Sequence, residues 1–116
     1  MSDETILLVL TNAPSAESAR HIARSLVDAR LAACVNILPA CQSVYRWQGD
    51  VEEAAELPLL IKTTAAHYQA VEAAIRVAHP YELPEIIAVP VAQGLPDYLA
   101  WVAQETRRPT SAPPAS

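Results

Sequence analysis

This sequence predicts an α+β fold of the ferredoxin-like kind: a β-α-β-β-α-β sandwich with an extended middle hairpin and a short C-terminal helix. Three observations lead there. Short apolar runs of strand character alternate with two segments of helical periodicity. Their order allows two split β-α-β units with right-handed crossovers, which put both helices on one face of the sheet. The middle strands also outrun what two helices of about 15 residues cover.

The elements follow in order. Residues 6–10 form a continuous apolar run, short and branched enough for a buried central strand. Asn12, Ala13 and Pro14 end it. Ser15 is placed to cap a helix, and Glu17 lies in the first turn, where the helix dipole favours an anion. Ala19, Ile22, Ala23, Leu26 and Val27 recur at helical spacing, with Arg20, Arg24 and Asp28 on the other side. An amphipathic helix therefore runs to about Arg30. Residues 31–38 read as a strand with Ala33, Val35 and Ile37 on one face. Pro39 interrupts the ladder because it has no N–H to donate. Residues 42–47 resume it, with Ser43, Tyr45 and Trp47 on one face and Val44 and Arg46 on the other. Gly49 and Asp50 mark a turn. The acidic run from Glu52 to Glu56 leads back into a strand over residues 57–63.

Thr64 is expected to cap a second helix, whose apolar stripe is Tyr68, Val71, Ile75 and Ala78. Pro80 stops it at or before His79, since the residue preceding a proline avoids helical angles. Residues 85–91 give the last strand. Gly94 and Pro96 open the short third helix, with Leu95, Leu99 and Val102 on one face. Residues 1–105 thus make a single domain. Residues 106–116, mostly small or hydroxyl side chains with three prolines, read as a disordered tail.

The overhanging hairpin carries Tyr45 and Trp47. Exposed aromatics on an arm are costly in a lone chain, and an uncovered strand edge invites another. Tyr45, Trp47 and Trp101 are expected to anchor an interface between copies, because aromatics dominate such contacts. Lining a ligand cleft is their other reading. A chain of 116 residues has a small private core, and its 52% apolar content also points to association.

The net charge of -5 and eight scattered basic residues argue against a nucleic-acid groove or an anionic membrane surface as partner. Cys34 and Cys41, on an extended chain, stand roughly 23 Å apart. A disulfide needs Cα atoms within about 7 Å, so they pair only if Pro39 folds the chain back. Two separate thiols suit a reducing cytoplasm. The first apolar run follows Asp3 and Glu4 and is too short for a secretory signal, and no stretch approaches a membrane span.

Several blocks together resemble one family. They are the run from Leu31 through Ala32, Ala33, Cys34, Val35, Asn36, Ile37 and Leu38 to Pro39, the run from Ser43 through Tyr45 and Trp47 to Gly49, and Leu60, Ile61, Lys62, Thr63 and Thr64. His79, Pro80, Tyr81, Glu82, Leu83, Pro84, Glu85 and Ile86 follow, then Asp97, Tyr98, Leu99, Ala100 and Trp101. Over residues 5–105 the sequence resembles the CutA divalent-cation tolerance family, with the blocks in that family's order. The resemblance implies a ferredoxin-like homotrimer with strands shared between subunits and a link to copper or other divalent cations. It also implies an architecture similar to PII signalling trimers, which bind small effectors between subunits. Better-known members have a cysteine at the end of the first strand and paired histidines before Pro-Tyr. Here those positions read Thr11 and Ala78-His79.

Among candidate site residues, His79 is the best metal ligand or proton carrier, placed at a helix C-terminus where an imidazolium is favoured. A helix-end histidine satisfying nearby carbonyls is the structural alternative. Cys34 is either a soft-metal ligand or a small packed side chain. Tyr81, Glu82 and Glu85 form a loop able to hold a cation or a polar ligand, or simply a solvated loop between prolines. Lys62, the only lysine, captures a small anionic effector or joins a structural ion pair. A metal site normally takes three or four protein ligands. No phosphate loop, CxxC, HExxH or GxSxG motif is present, so no enzymatic role is expected.

Overall fold

The computed structural model describes residues 2–107. Its elements are β1 (Ile6–Ala13), α1 (Ala16–Asp28), β2 (Cys34–Ile37), β3 (Cys41–Trp47), β4 (Asp50–Thr64), a single 3-10 turn (Ala65–His67), α2 (Tyr68–Ala78), β5 (Ile87–Pro90) and α3 (Pro96–Glu105). The sheet runs β2-β4-β1-β5, and β3 pairs with β4 beyond the end of β2. All pairings are antiparallel. The two β-α-β units interlock: β4 lies between β1 and β2, and β1 lies between β4 and β5. This is the ferredoxin-like arrangement expected from the order of elements.

The odd-numbered face of β1 and β4 is the core. Leu7, Val9, Ala13, Leu59 and Ile61 pack there against Ala19, Ile22 and Leu26 of α1 and Val71 and Ile75 of α2. The even-numbered face is different. Leu8, Leu10 and Leu60 are half-buried there, while Ile87 and Val89 are exposed. α3 approaches that face at the end where Cys34 and Lys62 lie opposite one another.

Ser15 caps α1 as its sequence position requires: its Oγ accepts from the Ser18 N–H at 3.1 Å. The helix ends in a Schellman turn. The Arg30 N–H donates to the Val27 carbonyl and the Leu31 N–H to the Leu26 carbonyl, with Arg30 at φ 60°. That turn consumes residues 31–33, and the strand expected over 31–38 is therefore only Cys34–Ile37. Thr64 does not cap α2. It ends β4, and its Oγ1 meets His67 Nδ1 at 2.7 Å while the 3-10 turn precedes the helix. The last strand is shorter than residues 85–91, because the side chain of Glu85 is drawn to Asn12 before the chain joins β1. Pro90 is tolerated because β5 is an edge strand. Gly94 sits against Leu99, where a Cβ would lie 2.9 Å from Cδ2. Thr106 is buried and its hydroxyl donates to the Val102 carbonyl at 3.0 Å, so this residue belongs to the body. Residues 108–116 of the expected tail lie outside the described residues.

The acidic run is part of the sheet. β4 is one strand of 15 residues, paired with β3 from Cys41↔Glu56 to Trp47↔Asp50. Gln48 and Gly49, with φ of 51° and 90°, close the hairpin, so the turn lies one residue earlier than Gly49-Asp50. The arm projects: the radius of gyration is 15.5 Å, against about 13 Å for a compact domain of about 100 residues.

A side chain at positive φ in this turn is strained, and asparagine tolerates that geometry better than glutamine. Gln48→Asn is expected to stabilise the fold by about 1 kcal/mol. Urea denaturation checks this, and an unchanged or lower midpoint contradicts the turn assignment.

Candidate functional site: the junction of arm and body

Where β4 leaves the body for the arm, α2 ends and residues 79–85 cross over to β5. His79 is the C-cap of α2, held extended at φ -83° and ψ 136° by Pro80. Both of its ring nitrogens are engaged. Nε2 lies 2.5 Å from the Asn12 carbonyl, and Nδ1 accepts the Tyr81 N–H at 3.1 Å. A carbonyl only accepts, so Nε2 carries the proton and the ring is the neutral tautomer. His79 is buried, and its ring stacks at a tilt on Tyr81, 4.7 Å between centroids. It joins the end of β1 to the loop after α2.

Tyr81 reaches from that loop to the arm. Its hydroxyl donates to Glu56 Oε2 at 2.9 Å. Partial burial first, then the hydrogen bond and charge of Glu56, then Tyr45, push its phenol from 10.0 up to about 12. Across the junction, Asn12 Nδ2 donates to Glu85 Oε1 at 3.0 Å. Asn12, Glu56 and Glu85 line a cleft of about 540 Å³, closed on the arm side by residues 43–47 and on the body side by Leu83 and Pro84. Tyr45 and Trp47 stand on its wall and remain more than a third exposed.

The other predicted residues lie elsewhere. Lys62 is on the even-numbered sheet face, where its ammonium donates to Asn36 Oδ1 and approaches Cys34 Sγ at 4.0 Å. It joins no ion pair with a carboxylate among the described residues. Tyr98 of α3 covers this spot. Its phenol is raised by burial first and then by the adjoining Cys34. Trp101 packs beside Tyr98, with centroids 5.6 Å apart. Glu82 is exposed in the loop and does not line the cleft.

His79 and Cys34 do not come together. Cys34 and Lys62 sit level with Leu8, and His79 bonds at Asn12, four positions further along β1. That separation is about 13 Å along the strand. Among the described residues no group of three His, Cys, Asp or Glu converges on a metal position. The pair expected to hold a metal therefore does not fit one within a single chain. Sequence reasoning missed Asn12 and Glu56. The available signal was that Glu56 is the acid of the run adjoining the apolar strand, so it must enter the body.

A sequence profile of the family described as CutA1 divalent ion tolerance protein matches residues 7–105. The divalent-cation tolerance protein CutA of Thermus thermophilus is 50% identical over 99 residues, spanning 85% of this chain and 96% of that one. Protein CutA of Mus musculus is 47% identical over 93 residues, spanning 80% of this chain and 52% of that one. Among solved structures, CutA of Xylella fastidiosa superposes with a TM-score of 0.87 at 48% identity, over 91% of this chain and all 100% of that one. The periplasmic divalent cation tolerance protein CutA of Archaeoglobus fulgidus gives 0.85 at 33% identity, over 88% and 99%.

Two predictions test this geometry. His79→Ala leaves the Asn12 carbonyl and the Tyr81 N–H without their partner and is expected to cost about 2–3 kcal/mol in chemical denaturation; a loss below about 0.5 kcal/mol contradicts the clasp. The Tyr81 phenol holds its proton more tightly folded than unfolded. Its contribution to stability is complete below pH 10.0 and is lost as pH rises through about 12. Ultraviolet titration of Glu56→Gln should show one tyrosine ionising at lower pH than in the parent; an identical curve refutes the Tyr81–Glu56 contact.

Proposed function

The chain belongs to the CutA1 divalent ion tolerance protein family, and from that premise we propose that it acts in divalent-cation tolerance as a cytoplasmic homotrimer without enzymatic activity. The observation carrying the trimer is the apolar surface left open by one copy. Ile87 and Val89 on the even-numbered sheet face, Tyr45, Trp47, Val44 and Val51 on the arm, and Tyr98 and Trp101 on α3 are all exposed. A sheet face and a projecting arm of this kind are buried together by sister copies. The free thiols Cys34 and Cys41 support the cytoplasmic reading.

Copper or another divalent metal, in this reading, is a ligand of the assembly. A soft metal finds Cys34, a free thiol, more readily than His79, whose two nitrogens are hydrogen-bonded. At the Cys34 position one chain supplies one such ligand, and a stable site takes three or four. The remaining ligands then come from other copies.

Light scattering after size exclusion is expected to give about three times the 12.5 kDa chain mass, and Trp47→Asp to lower it. A monomer at micromolar concentration rejects the trimer. Calorimetric titration with copper should show binding lost in Cys34→Ser and kept in folded His79→Ala; the reverse pattern rejects the assignment of the metal to Cys34.

A further inference from the structure

The cleft at the arm junction holds two carboxylates, Glu56 and Glu85. Glu56 is only 8% exposed, yet neither it nor Glu85 is in an ion pair among the described residues. A carboxylate removed from water without a counter-charge is destabilised. Each acid is nevertheless fixed by one neutral donor. Tyr81 holds Glu56 by Oε2, and Asn12 holds Glu85 by Oε1. Among the described residues, Glu56 Oε1 and Glu85 Oε2 accept no hydrogen bond, and both acids line the same cleft. The raised Tyr81 phenol keeps its proton through the physiological range and remains a donor.

Arg46 also lines the cleft, but it forms no ion pair with Glu56 or Glu85 among the described residues, and the two carboxylates outnumber it. The face carrying Glu56 also carries Ser43, Tyr45 and Trp47. Electron-rich ring faces attract cations, more so when desolvated. The cleft volume of about 540 Å³ falls within the range of about 300–1,000 Å³ typical of small-molecule sites. It is far too large for a bare ion, and no three metal-ligating side chains converge there among the described residues.

We propose that this cleft binds a small organic cation, an alkylammonium or guanidinium compound, with Glu56 and Glu85 supplying charge and Tyr45 and Trp47 the aromatic wall. The small anionic effector expected from Lys62 has no place here, because Lys62 lies on a different part of the sheet. Tyr45 and Trp47 are also the proposed interface anchors, so in the trimer this ligand sits at a subunit boundary. The pocket residues named come from one chain, and the proposal does not depend on the metal reading.

The test is calorimetry on the assembled full chain with putrescine and agmatine as probes, and butanediol as the uncharged counterpart. Putrescine or agmatine is expected to bind and butanediol not. Glu56→Gln should weaken binding by at least about tenfold, the loss expected for a charge-assisted contact. Glu53→Gln, altered on the outer side of the arm beside Gln42, should bind as the parent does. Glu85→Gln is read by the same criterion as Glu56→Gln, which keeps the test intact if the buried substitution prevents folding. Absence of binding by both amines overturns the proposal. So does equal binding by butanediol, unchanged affinity in the folded glutamate variants, or complete displacement of the amine by magnesium.

Discussion

The structure depends on one strand serving two bodies. β4 has 15 residues, about 50 Å of extended chain. α1, at 13 residues, spans about 20 Å. No helix among the described residues can shelter the whole of β4. Its C-terminal half, with Leu59 and Ile61, lies at the centre of the core, and its N-terminal half, with Glu52 and Glu53, runs out into solvent beside β3. β4 itself runs on without a break, paired with β1 up to Leu57 and with β3 from Glu56 outward, so the arm continues from the core. The exposed aromatics, the junction cleft and the pressure to associate all follow from that mismatch in length.

The junction is where the mismatch is managed. A strand leaving its helical cover exposes the ends of the neighbouring elements, and their backbone polar groups need partners. His79 meets this need by bonding at once to the end of β1 and to the next turn of its own loop. Tyr81 then ties that loop to the arm through Glu56. The same few residues that brace the arm thereby leave two carboxylates pointing into a cleft. Bracing and ligand binding have one origin, since neutral donors fix the acids without cancelling their charge.

Much of the fold was legible because it is written in period and punctuation. The stripe from Ala19 to Leu26, the cap at Ser15 and the stop at Pro80 are local signals, and each element stands where they place it. Boundaries failed where a non-local partner or an irregular backbone intervened. The Schellman turn at Arg30, with no glycine to announce it, shortened β2, and the pairing with β3 extended β4 across its acids. The site was harder to read for the same reason. His79, Tyr81 and Glu85 are neighbours in sequence and were found together. Asn12 and Glu56 reach them from far along the chain, while the register sets Lys62 apart, level with Leu8.

The two departures from the family's suspected metal residues have a common physical setting. Thr11 lies on the odd-numbered face of β1, 1% exposed, and its Oγ1 has no hydrogen-bond partner. Ala78 packs against the same core from the last turn of α2. Both positions are closed by helix-on-sheet packing, so a ligand at either would have to bring its metal into that layer. With threonine and alanine there, the third member, His79, is left to its backbone partners. A histidine donating to a carbonyl and accepting from an amide has no lone pair to give a metal unless it abandons the Tyr81 N–H. That exchange would loosen the loop that positions Glu56 and Glu85. In this chain His79 therefore braces the loop around Pro80, and the carboxylates of Glu56 and Glu85 are held in the adjoining cleft by neutral donors.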